Sequence, residues 1–436
     1  MEQQRTMKHK ASLKLPLGIS DFSQIRTGEY FYVDKTRLIE TICNRECFSY
    51  LIARPSGFGK TLYLSMLRRF FEIGSDKSVF DGLYISKDTE ICEKYQGKYP
   101  VISISFQNVN ANNYEVARKQ LEEAVIHEAK RFKFLKDCDE LDENQRQRYL
   151  AVLKPEKDSV ALVGALWNLA MVLQEYYKCC VIFLVDDWDT PMLAAARYGY
   201  YDQMAWTIRR IIEIVAGDND RVEFSVLMGC LHVPVGGGYF DPYNYKYDSI
   251  LSGLVLDAGG FEELDAKAAL DYYKLSDCME EVKQRCGGYQ IIKTDLFSPT
   301  LVFDFIAEKI GNDAELRHRQ MVEEKEYRKL DAILSCENYF DIDAQNSLKD
   351  LLDGKSVWTQ MNPYVKYKDK NYVFANSLWS ILLLHGYLTA KHREKYIGTD
   401  AYTITISNDK SRERLQAWLT AWESQDRGGK EYESRT

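Results

Sequence analysis

Tyr50-Leu-Ile-Ala-Arg-Pro-Ser-Gly-Phe-Gly-Lys-Thr-Leu62 reads as a buried strand, a turn with two glycines, and the start of a helix. An apolar run that breaks at glycine and resumes with Gly59-Lys60-Thr61 has the chemistry of a phosphate cradle. Backbone N–H groups at a helix N-terminus attract anions. Lys60 can reach the β and γ phosphates of a nucleotide, and the Thr61 hydroxyl can ligate Mg²⁺. The usual pattern places a glycine where this chain has Arg54, followed by Pro55. An ordinary strand–turn–helix is the competing reading of this stretch alone.

A second stretch shifts that balance. Cys179-Cys-Val-Ile-Phe-Leu-Val-Asp-Asp-Trp-Asp189 is a continuous apolar run that ends in carboxylates. Such runs fit strands buried on both faces of a parallel sheet. Ligands of α/β folds bind at the carboxyl ends of those strands. Asp186 is placed to hold Mg²⁺, directly or through water, and Asp187 to orient an attacking water. The competing reading is a strand capped by a solvated acidic turn.

These residues resemble a family. Leu15-Pro-Leu-Gly-Ile-Ser-Asp-Phe22, Tyr32-Val-Asp-Lys-Thr36, Arg54-Pro55 with Phe58-Gly-Lys-Thr61, Leu64-Ser-Met-Leu67, Tyr99-Pro-Val-Ile102, Val185-Asp-Asp-Trp-Asp-Thr-Pro191, Tyr200-Tyr201 and Phe297-Ser-Pro299 carry the likeness. Together they are similar to the mostly bacterial AAA-ATPase-like proteins that often bear a C-terminal PD-(D/E)XK nuclease-like domain. The resemblance covers roughly residues 13 to 420 and makes Arg54 a family trait. It implies an ATP-binding module that uses Mg²⁺. Four departures mark this chain. Ser56 and Gly57 stand where the family has basic residues, Asp187 where it has Glu, Met228 where it has Thr, and His232 near the usual place of an Arg. Most remove or shorten a polar or charged group on the expected γ-phosphate side, which weakens the case for hydrolysis more than the case for binding. The sequence ends about where the nuclease-like domain normally begins.

Size and charge bound the remaining readings. A chain of 436 residues can bury a large core in two or three domains. A net charge of −8 argues against broad nonspecific binding to DNA or membrane, although a local basic patch can still contact DNA. The ten cysteines form no CxxC pair and the six histidines are scattered, so buried free thiols in a reducing compartment are expected rather than a zinc site. No stretch approaches transmembrane length, and the first ten residues hold no apolar signal core. The expected location is the cytoplasm. The thirty tyrosines have no account beyond packing and interface use.

Strand–helix alternation continues along the chain. Strands are expected at 48–53, 101–106, 181–185 and 222–228, with helices at 34–45, 60–71 and 201–215 and a mainly helical stretch between 113 and 177. Gly236-Gly-Gly238 is either a mobile sensor loop or a connector. Helices at 263–273, 277–285, 299–310 and 312–329 follow, the last a charged helix with a solvated face. Beyond them a helix ends near Gly386, a strand runs 401–407, and a helix spans 412–422.

The expected fold is thus α/β: a P-loop NTPase, AAA-like, with a parallel sheet and covering helices over 13–260. A helical lid over 261–335 and a small winged-helix-like module over 336–424 follow, with flexible termini at 1–12 and 425–436. The module docks to a partner or DNA, or simply closes the ATPase; it carries no Lys/Arg stripe. ATP and Mg²⁺ are the expected cofactors. Arg54, Pro55, Ser56, Gly57, Phe58, Gly59, Lys60, Thr61 and Leu62 would surround the phosphates. Thr61 and Asp186 would hold Mg²⁺, and Asp187 would position water. Arg209 or Arg210 could neutralise charge, though surface salt bridges suit both better. Slow hydrolysis would move the lid and the C-terminal module. The alternative is a nucleotide-binding switch with little or no hydrolysis, working through a protein partner or self-association. A nuclease has no support after Trp422.

Overall fold

The structure is a computed structural model and describes residues 13–44, 47–154, 159–216, 220–232, 245–251, 259–291, 294–311, 313–336, 340–367, 377–396 and 399–433. Its centre is a five-stranded sheet. Strand β1 is Ser49–Ala53, β2 Val101–Ser105, β3 Val181–Asp186, β4 Val222–Gly229 and β5 Tyr245–Asp248. They lie in the order β2-β3-β4-β1-β5, and every pairing is parallel. Alternate residues of a strand face opposite sides of the sheet, and here both sides are covered. Val181, Phe183 and Val185 pack into one core, while Ile182 and Leu184 pack into the other. This is why β3 reads as an unbroken apolar run.

One layer includes the helix Lys60–Phe71, whose Leu64, Met66, Leu67, Phe70 and Phe71 face the sheet. The other includes Tyr114–Ala129, Ser159–Tyr177 and Tyr201–Val215, which bury Leu121, Leu166 and Ile208. Parallel strands with covered faces are what the alternation of apolar runs and helices implied. The strand β5 was not expected, and neither was the helix Thr190–Tyr198 directly after the acidic turn. The glycine-rich stretch 236–238 lies outside the described residues.

Beyond the sheet, helices span Glu263–Tyr272, Met279–Cys286 and Pro299–Ile310, and a hairpin pairs β6 (Tyr289–Ile291) with β7 (Thr294–Leu296). A longer helix, Asp313–Leu334, follows. Its Asp331 accepts from Arg197, in the first half of the chain, at 2.7 Å and from Trp418 Nε1, near the C-terminus, at 3.1 Å.

The C-terminal region contains helices Ile342–Leu352, Ser377–Leu384 and Asp409–Glu433. Its antiparallel sheet joins β8 (Val357–Gln360), β9 (Leu388–Tyr396) and β10 (Thr399–Ile406) in the order β8-β10-β9. The last helix continues well past Trp422, so residues 425–433, expected as part of a loose tail, are helical. Met361, Val365 and Tyr367 are buried in the same core as one face of the central sheet, so the C-terminal region packs directly on it. Among the described residues no helix is long and apolar enough to cross a membrane.

Candidate functional site

Because all five strands run in one direction, their carboxyl ends converge. Ala53, Asp186, Gly229 and Asp248 close four of them. The turn after β1 folds over this edge. Gly57 and Gly59 take φ of 76° and 83°, the left-handed region where a side chain is disfavoured. A Cβ on Gly57 would also stand 2.8 Å from Ser298 Oγ. A side chain there would strain the turn and displace the Ser298 hydroxyl. The helix Lys60–Phe71 then begins, and the first N–H groups of a helix have no acceptor within it.

Lys60 is buried and its ammonium turns back into the loop. It donates to Arg54 O and Pro55 O, each at 2.9 Å, and to Cys230 Sγ at 3.5 Å. Three acceptors match the three hydrogens of an ammonium. An incoming phosphate would replace one or more of them. Thr61 Oγ1 donates to Asp186 Oδ2 at 2.6 Å, joining the loop helix to the end of β3. Asp186 Oδ1 accepts the Asp187 N–H at 3.0 Å. Burial and the neighbouring Asp187 push the Asp186 carboxyl up to about 7. A bound divalent cation would favour its ionised form. Asp187 itself has φ of 50° and is only partly buried.

Arg54 has a different place from the one expected. Its side chain is fully buried and pairs with Asp248 Oδ2 at 2.5 Å, so the guanidinium faces β5 rather than a phosphate. Its backbone N–H donates to Gly229 O at 2.9 Å, and only its carbonyl turns to Lys60. Phe58 is also buried, edge-on to Tyr289 at 4.9 Å. Pro55 and Leu62 are buried and half-buried backing for the turn, and Ser56 is half-buried on the loop. Arg209 and Arg210 pair with Glu213 on their own helix, at 3.0 and 2.7 Å. His232 lies edge-to-face with Tyr247 and Tyr364, with centroids 4.5 and 5.1 Å away. Burial, with a smaller effect of Lys366, pulls its pKa down to about 3, so it stands neutral near the position where the resemblance implies an Arg.

Several residues at this edge come from far along the chain. Lys329, on the helix Asp313–Leu334, donates to Ser56 Oγ at 2.7 Å. Burial would strip its proton, but Glu326, Cys230 and Asp187 outweigh that and hold it above the usual lysine range. Ser298 and Thr300 donate to Gly57 O at 3.3 and 3.2 Å. Asp189 is buried, and its carboxylate accepts from Cys230 N and Leu231 N at 3.1 and 3.2 Å. Asp189 lies in the acidic stretch and Ser298 in Phe297-Ser-Pro299, both of which carried the family likeness in sequence; Lys329 and Thr300 had no such signal.

The site therefore brings together Lys60, Thr61, Asp186 and Asp187, two of them separated by 125 residues in sequence. It is a glycine turn at a helix N-terminus with one lysine, one hydroxyl and a carboxylate pair at the edge of a parallel sheet. A family model described as predicted AAA-ATPase matches residues 16–237, which include the loop, the acidic turn and β4. A protein of Azotobacter chroococcum mcd 1, described as an uncharacterized protein in the vnfD 5′ region, is 26% identical over 292 residues. The match covers 66% of this chain and 50% of that relative, so the chain spans about half the relative's length. With a matched segment that takes in half of its residues and the whole loop-and-turn edge, the chain belongs to the predicted AAA-ATPase family.

Proposed function

We propose that this protein binds Mg-ATP at the β1 turn and hydrolyses it slowly. The observation that carries the reading is the hydrogen bond from Thr61 to Asp186, because it sets the hydroxyl and the carboxylate that would share Mg²⁺ at one point beside Lys60. Lys60 and the N–H groups from Gly57 to Leu62 would take the phosphates. Mg²⁺ supplies charge neutralisation and a template for the phosphates. Thr61 and Asp186 would hold it. Asp187, one residue beyond Asp186 on the half-buried side of the turn, would orient water. Residues 13–260 would form the ATPase unit, 261–335 a lid, and 336–424 a winged-helix-like closing module. In support, Ser298, Thr300 and Lys329 from the second segment all touch the phosphate turn.

Titration of Mg-ATP into wild type and Lys60→Ala by calorimetry tests the reading. Loss of a charged phosphate contact costs about 1.5–3 kcal/mol, or roughly tenfold to more than a hundredfold in affinity. A folded Lys60→Ala protein with wild-type affinity would overturn the phosphate site.

The neutral His232 supports a second reading, a nucleotide switch with little or no turnover. An imidazole that carries no charge cannot offset the charge that develops on a transferring phosphoryl group. A phosphate-release assay on protein that binds Mg-ATP separates the two: binding with no release is the switch.

A further inference from the structure

Asp189 closes the acidic turn and feels the charge of Lys60, but makes no hydrogen bond to Lys60 or Thr61. Its carboxylate instead joins three parts of the molecule. Oδ1 accepts the Cys230 N–H at 3.1 Å and Oδ2 the Leu231 N–H at 3.2 Å, which fixes the exit of β4. Oδ2 also accepts the Tyr367 hydroxyl at 3.3 Å, from the C-terminal region 178 residues away. Tyr367 lies 2.9 Å from His385 Nε2. A phenol has one proton. Given to Asp189, it leaves the phenol oxygen to accept from His385 Nε2–H, which puts the lone pair on Nδ1. Among the described residues Nδ1 has no hydrogen-bond partner, and burial together with Lys329 and Lys60 keeps the ring neutral. All three side chains are more than nine-tenths buried.

The fit at this point is tight. A Cβ on Gly229 would meet Asp189 Oδ1 at 2.4 Å and Trp188 Nε1 at 2.6 Å. The Asp189 backbone also opens the helix Thr190–Tyr198, taking the Met192 and Leu193 N–H groups at 3.1 and 3.2 Å. The Thr190 N–H donates to Asp187 O at 3.0 Å, across a turn in which Asp187 holds a left-handed φ. Movement of Asp189 would therefore move Asp187, and would also move Cys230, whose sulfur accepts from Lys60.

Asp189, Cys230 and His385 present ligand atoms within 4.8 Å of one another, a set that could hold a metal ion. Lys60 is 3.5 Å from that sulfur, and it and Lys329 both act on His385, so a cation there would face two ammonium groups. Hydrogen bonding accounts for the cluster better.

We propose that Tyr367 and His385, supplied by the C-terminal region, are positioning residues of the nucleotide site, holding Asp189 so that the seating of that region sets the geometry of Asp187 and the β4 exit. The proposal rests on the Mg-ATP reading above. Because coupling between sites is reciprocal, nucleotide binding should in turn order the segments that carry the two residues.

The test uses the full chain. Hydrogen exchange with and without Mg-ATP is followed at residues 361–367 and 384–388, beside Mg-ATP affinity and kcat. In wild type, Mg-ATP protects both segments. Tyr367→Phe, which keeps the ring and removes only the hydroxyl, loses that protection and about tenfold in kcat, with affinity within about twofold. His385→Leu behaves in the same way, while His385→Gln, which keeps a donor, recovers part of the protection. Melting temperatures show that each variant is folded. If turnover is absent even in wild type, the protection alone decides. Binding with unchanged protection in Tyr367→Phe and His385→Leu overturns this proposal and leaves the nucleotide reading standing. Wild type that binds no Mg-ATP overturns both.

Discussion

Asp187 is where the backbone and the chemistry meet. Its φ of 50° is a conformation that costs most L-residues roughly 1–2 kcal/mol, and Asn and Asp less, because their short polar side chains bond locally. The family resemblance implies Glu at this position, and the positive φ gives a backbone reason for the shorter acid here. Asp187→Asn should melt close to wild type. Asp187→Glu should lose about 1 kcal/mol, read as a fall of about 1–2 °C in the melting temperature of the ligand-free protein. If the Glu protein melts at or above wild type, the positive φ does not account for Asp at this position. The residue scale also separates Arg54 from its neighbours. It is inside the quoted loop, yet its side chain is committed to Asp248.

At the scale of elements, that pair explains how the outermost strand is attached. β5 is only Tyr245–Asp248, and it hydrogen-bonds along one edge, to β1. Arg54 at the end of β1 and Asp248 at the end of β5 pin the two together, with neither side chain exposed. Removing one partner of a buried ion pair costs about 3–5 kcal/mol, since the other charge is left without compensation. Arg54→Ala should therefore lower the denaturation midpoint strongly. In protein that remains folded, Mg-ATP affinity should fall far less than in Lys60→Ala. Wild-type stability combined with lost affinity would return Arg54 to the phosphates. The same strand marks the boundary of what the sequence could tell. β3 and the helix Lys60–Phe71 were legible because five consecutive apolar residues and an amphipathic stripe each dictate one burial pattern. Tyr-Lys-Tyr-Asp has no such pattern. It is a strand because β1 offers it an edge and Arg54 offers it a charge, and both are tertiary facts.

At the scale of the whole molecule, the residues that sequence reading missed arrive from distant segments. Lys329 reaches Ser56 across 273 positions, from a helix whose charge pattern reads as a solvated face. No local spacing reveals that one of its lysines turns inward. Its position alters an expectation based on the loop alone. Ser56 and Gly57 replace basic residues of the family, which would leave Lys60 as the only cation at the phosphates. The structure instead sets a second ammonium on the Ser56 hydroxyl, on the same arch that holds Lys60 through Arg54 O and Pro55 O. Glu326, 3.9 Å from Lys329, and the nearby Asp187 help keep it charged despite burial. A cation delivered by the proposed lid differs from one fixed in the loop. It can contact the terminal phosphate only while the lid is seated, and so it should favour ATP over ADP. Lys329→Met should weaken Mg-ATP binding about tenfold and leave ADP binding nearly unchanged, whereas Lys60→Ala should weaken both. Because both ligands are measured on the same protein, the ratio of the two affinities is insensitive to a loss of stability from leaving Glu326 unpaired. Equal loss for ATP and ADP in Lys329→Met would place Lys329 as support for the loop, without a role at the terminal phosphate.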